Sequence, residues 1–131
     1  MITTTKLYTA DDLFLLPPDA PYELVRGELV EVPPAGGRAS AIAIWIGSML
    51  LLFARPRDLG IVTGEGGGYR LELDPDTVVA PDVGFVRWEK LPDRSVPEGH
   101  IPVPPDLAVE VKSPSDRPGR VAAKLKIWTD A

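Results

Sequence analysis

Two short segments carry the residue types that phosphodiester chemistry uses, Pro81-Asp82 and Glu110-Val111-Lys112. Each stands beside or within a short apolar run that reads as a strand. Glu110 and Lys112 are two residues apart, so on a strand both side chains point to one face. If the two strands are neighbours, Asp82 and Glu110 converge on one hard divalent cation, and Lys112 orients or activates the attacking water. The ordinary alternative is that Asp82 caps a turn after Pro81, while Glu110 and Lys112 form a solvated strand face. Spacing alone favours that alternative, because patterns this short recur by chance.

Strands on either side of Pro81 and at 107–111 must position these groups, and the flanking sequence supplies the rest of an α/β domain. Thr9-Ala10-Asp11-Asp12 has the form of a capping box opening a short helix that stops before Pro17-Pro18. Tyr22–Arg26 and Glu28–Val32 flank Gly27 and predict a hairpin. From about Arg38 to Phe53 the chain is apolar nearly all round, with Ile42, Trp45, Ile46, Met49, Leu50 and Phe53 at helical spacing. This predicts a largely buried helix, closed by Pro56, with Trp45 in the core. Ile61–Thr63 and Tyr69–Leu73 read as strands around Gly64–Gly68, and Asp74-Pro75-Asp76 as a turn. Val78-Val79 leads into Pro81-Asp82, and Val83–Trp88 is the next strand. Leu91–Pro105 is a proline-rich loop. In the strand after it, Leu107, Val109 and Val111 face one way, and Ala108, Glu110 and Lys112 the other. Ser113–Asp116 is a turn, and Pro118 suits the first turn of a final helix.

The length of 131 residues allows one modest core, so residues 1–131 form a single domain. With no cysteine and one histidine, His100, neither a thiolate nor a histidine zinc site is available. Met1–Tyr8 is polar and lacks the apolar segment of a signal peptide. The run Ile42–Phe53 is short for a membrane span and holds Gly47 and Ser48. These features predict a cytosolic protein without membrane contact. The net charge of −5 argues against tight nonspecific DNA binding, although a nuclease can confine positive charge to one cleft.

Three segments in order, Tyr22–Val30, Pro75–Val83 and Pro105–Asp116, resemble the Uma-two family of restriction-endonuclease-like proteins, a branch of the PD-(D/E)XK nuclease superfamily. The resemblance spans nearly the whole chain, and Pro81-Asp82 and Glu110–Asp116 are its most specific parts. It implies a restriction-endonuclease-like mixed sheet flanked by helices, truncated here at the C-terminus because the last helix has no following strand. It implies Mg2+ or Mn2+ held by Asp82 and Glu110, DNA as the substrate, and Lys112 as the catalytic lysine. Glu23 matches an acidic residue that the superfamily often adds to the site, and Glu65, among glycines 64–68, matches one that the family tends to place in a hairpin turn as a further metal ligand. Lys124 matches a lysine on the last helix that can face the site. The histidine that family members commonly carry at the start of the long helix is absent from Arg38-Ala39-Ser40.

Other residues have weaker claims. Trp88 and Trp128 suit a core edge or an interface better than base stacking, and Arg117 and Arg120 are the better placed of the arginines for phosphate contact. A missing sheet edge leaves either an exposed strand or a homodimer contact. Two functions follow: a divalent-metal-dependent DNA endonuclease, or a catalytically inactive nuclease-fold module that binds or scaffolds.

Overall fold

Local chemistry sets the first elements. The computed structural model of the protein describes residues 6–114 and 116–131; residues 1–5 of the polar N-terminal segment and Ser115 of the predicted turn lie outside the described residues. Helix α1 (Ala10–Phe14) begins at the predicted capping box: the Thr9 hydroxyl accepts the Asp12 N–H, and the Asp12 carboxylate accepts the Thr9 N–H. The Ala10 N–H donates to Asp76 Oδ2 at 2.8 Å and the Asp74 N–H to Asp76 Oδ1 at 3.0 Å. These two bonds hold the Asp76 carboxyl below its ordinary value. Strands β1 (Tyr22–Val25) and β2 (Glu28–Glu31) form the predicted hairpin. Its two-residue turn places Arg26 at φ 49° and Gly27 at φ 81°, the left-handed pair that matches the twist of tight hairpins.

The chain continues through α2 (Gly37–Ala54), β3 (Gly60–Thr63), β4 (Tyr69–Glu72), β5 (Thr77–Val79), β6 (Val83–Arg87), β7 (Leu107–Val109) and α3 (Pro118–Thr129). Two 3-10 turns, Trp88–Lys90 and Pro92–Arg94, lead into the proline-rich loop. The α/β frame expected of a restriction-endonuclease-like domain is present. Its strands divide between two antiparallel sheets, ordered β2-β1-β5-β4 and β3-β6-β7, and Tyr69 and Ile101 form a parallel bridge. Consecutive strands β5 and β6 lie in different sheets. Between them Pro81, fully buried, has no N–H to continue a ladder, and the chain crosses there. There are two small cores. Leu24, Val78 and Ala10 form one; Tyr69, Val86, Leu91 and Ile101 form the other, with Trp88 at its margin as expected. The second lies between the sheets, since Tyr69 belongs to β4 and Val86 to β6.

Helix α2 departs from the expected buried helix. It packs against β3 and β6 through one face, with Ala39 and Ala54 buried and Gly47 against Val83. The sheet beneath it is a single layer, so the far side stands in solvent. Trp45, expected in the core, is 67% exposed, and Leu52 is 75% exposed. Apolar composition all round a helix does not by itself supply a second layer to bury it.

The β3–β6 pairing depends on a glycine. A Cβ at Gly60 would lie 2.0 Å from the Val86 carbonyl oxygen. Gly60→Ala should therefore lower the unfolding free energy by about 2 kcal/mol, read as a shift in urea midpoint. Gly37→Ala, with nothing within 4 Å of the new methyl, should leave stability unchanged or slightly raised. Equal effects would contradict the close β3–β6 approach.

Candidate active site

Antiparallel pairing of β6 with β7 sets Val83 opposite Val109. Asp82 is the residue before Val83 and Glu110 the residue after Val109, so the two carboxylates flank the end of the same ladder. The neighbouring strands that their convergence required are present. Strand β7 is shorter than expected and ends at Val109, so Glu110 and Lys112 lie just beyond it rather than within it. The reason lies in the opposite strand. Where a backbone acceptor would continue the ladder, the Val111 N–H donates to Asp82 Oδ2 at 2.7 Å.

Two further elements reach the same place. Glu23 projects from β1 and uses both carboxylate oxygens: Oε2 accepts the Ala80 N–H at 2.6 Å, and Oε1 accepts from Lys124 Nζ at 2.6 Å. Lys124 comes from α3, and its ammonium is 4.0 Å from Glu110 Oε1. The Trp128 indole N–H donates to that same Glu110 oxygen at 2.9 Å. Burial pushes the Glu110 carboxyl up to about 7; the Lys124 charge and the Trp128 bond oppose this, and the charges of Asp82 and Glu23 add to it.

The predicted residues thus separate into two groups. Glu23, Asp82, Glu110 and Lys124 converge on one cleft of about 590 Å³. Lys112 and Glu65 line that cleft but are exposed, and Arg120 lies on its α3 side. The Gly64–Gly68 segment carrying Glu65 does not close a hairpin, because β3 and β4 belong to different sheets; it crosses between them. Trp128, expected at a core edge or interface, instead holds a carboxylate. Its position four residues after Lys124, on the same helix face, is the signal in the sequence that fits this role.

The donor set suits a hard cation. Among the described residues no three carboxylates or imidazoles come close enough to wrap a metal ion. A magnesium-type ion needs less, since it binds through one or two carboxylates and keeps several waters. Both Glu23 oxygens are engaged, whereas Asp82 Oδ1 and Glu110 Oε2 take no hydrogen bond among the described residues. Asp82 and Glu110 are therefore the residues that would hold the ion.

Two carboxylates and a lysine thus share a cleft at the end of an antiparallel ladder in an α/β frame, the arrangement that the resemblance to restriction-endonuclease-like proteins implies. Residues 10–131 match the sequence profile of Uma2, described as "Putative restriction endonuclease", and the chain belongs to that family. The fold is similar to a crystal structure from Anabaena variabilis described as a putative nuclease of DUF820, with a TM-score of 0.70 and 23% identity over 91% of this chain. The chain spans 66% of the length of that protein. No curated protein matches.

The raised Glu110 carboxyl has a consequence for stability. The folded protein retains a proton there that the unfolded chain releases near 4.5. The resulting stabilisation is complete below that value and is lost as pH rises through about 7. In chelator, unfolding free energy should fall by on the order of 2 kcal/mol between about pH 5 and pH 8, and Glu110→Gln should flatten that slope. Parallel urea-midpoint profiles for the two proteins would contradict the assignment.

Proposed function

We propose that the chain is the catalytic core of a divalent-metal-dependent endonuclease that hydrolyses DNA phosphodiester bonds. The observation that carries this reading is the convergence on one cleft of Asp82 just before β6, Glu110 just after β7 and Lys124 of α3. Family membership and the nuclease-like fold support it. Asp82 and Glu110 would hold a cation, which would neutralise charge on the phosphate and lower the pKa of bound water.

The chain's own groups divide the remaining work. The Lys124 ammonium, 2.6 Å from Glu23 and 4.0 Å from Glu110, is fixed where it can orient the attacking water. Glu23 sets that lysine's position through its second anchor, the Ala80 N–H. Trp128 fixes the rotamer of Glu110 and leaves the other carboxylate oxygen open. Lys112 and Arg120 on the cleft wall suit phosphates on either side of the scissile one. Water oxygen attacks phosphorus and gives up a proton to solvent, the bond to the leaving sugar oxygen breaks, and that oxygen takes up a proton from solvent. Lys124 thereby takes the water-orienting role that the strand spacing offered, and the family resemblance gave, to Lys112. The competing reading, a nuclease-fold module without turnover, draws on the net charge of −5.

Nicking of supercoiled plasmid in Mn2+ tests both. The folded wild type should cleave; Glu110→Ala and Lys124→Ala should lose about 100-fold or more, and Lys112→Ala less than about tenfold. A folded wild type that does not cleave would favour the module. Loss in Lys112→Ala with Lys124→Ala active would return the water-orienting role to Lys112.

A further inference from the structure

The outward side of α2 carries Ile42, Trp45, Met49 and Leu52, spaced three, four and three residues apart. That is two heptads of the apolar a/d seam by which one helix accepts another. The inward side already packs on β3 and β6 through a different set of small and apolar residues. By length and composition α2 is also apolar enough to cross a membrane. A helix fixed along one whole side to a sheet cannot be surrounded by lipid without dismantling that sheet, so the seam fits a helix and not a bilayer core.

We propose that this seam pairs with the same seam of a second copy of the chain, giving a two-fold dimer built on an α2–α2 contact. Exposure is 37% at Ile42, 67% at Trp45, 58% at Met49 and 75% at Leu52, with Phe53 beside them at 54%. Together these side chains offer on the order of 600 Å² of apolar surface, at the upper end of what a monomer leaves in water. That approaches the ~800 Å² per partner of a standard specific interface. Arg38, in the first turn, is the one charged residue in α2, so the seam itself brings no like charges together when it meets its own copy. A continuous 18-residue helix is about 27 Å long, enough for both heptads to engage.

Sedimentation equilibrium of the full chain tests this directly. The wild type should sediment at twice its 14.2 kDa at micromolar concentrations, and the double variant Trp45→Glu, Leu52→Glu at 14.2 kDa with an unchanged circular dichroism spectrum. Leu125→Glu, at an exposed apolar position on α3, should remain dimeric. Because the chain has no cysteine, Met49→Cys provides a second readout that does not need the charged variants to fold. It should form a covalent dimer on mild oxidation, and Ser95→Cys, far along the chain in an exposed turn, should not. A wild type that stays monomeric at about 100 µM, a double variant that stays dimeric, or a wild type that partitions onto neutral phosphatidylcholine vesicles in place of dimerising would each overturn the proposal.

Discussion

At Pro81 the chain passes from one sheet to the other, and the geometry of the cleft depends on that crossing. A proline there cannot donate to either ladder, so β5 ends and β6 begins around it. Asp82 follows immediately, and its side chain takes the Val111 N–H that the ladder would otherwise leave without a backbone partner. One carboxylate oxygen is thereby committed to structure and the other is free for chemistry. The same bond stops β7 at Val109 and turns Glu110 into the space beside Asp82. A buried proline and one side-chain hydrogen bond therefore fix both carboxylates.

Around that point the charges are arranged so that no carboxylate is wholly without compensation. Glu23 is neutralised by Lys124, and Glu110 has the weaker half of that lysine and the Trp128 N–H. Burial still dominates at Glu110, which is why its carboxyl is raised to about 7. Helix α3 reaches the sheets largely through these polar contacts, since it makes no extensive packing with any strand. Its attachment and the electrostatics of the cleft are thus one interaction seen from two sides.

What was legible in the sequence is what local rules decide. The Thr9–Asp12 capping box, the Arg26-Gly27 hairpin and the proline at the start of α3 each depend on residues a few positions apart, and each formed as read. Asp82 and Glu110 stand out because proline and alternating apolar residues bracket them, yet that pattern alone favours a capped turn and a solvated strand face, and the family resemblance is what singles them out. Glu23 and Lys124 were found through family resemblance, and their contact joins residues 101 positions apart, beyond the reach of any spacing rule. The exposure of Trp45 was hidden for a different reason: a helix pattern records which residues are apolar, not how many layers the fold supplies. The role of Trp128 was hidden because an aromatic on an amphipathic helix reads as packing until its N–H is seen to meet a carboxylate.

A crystal soaked in Mn2+ and measured for anomalous scattering tests whether the crossing at Pro81 creates a two-carboxylate cation site. A peak is expected within about 2.0–2.4 Å of an oxygen of each of Asp82 and Glu110, with Lys124 still beside Glu23. No peak there at saturating Mn2+, or a peak held by Glu23 and Glu65 without Glu110, would contradict such a site.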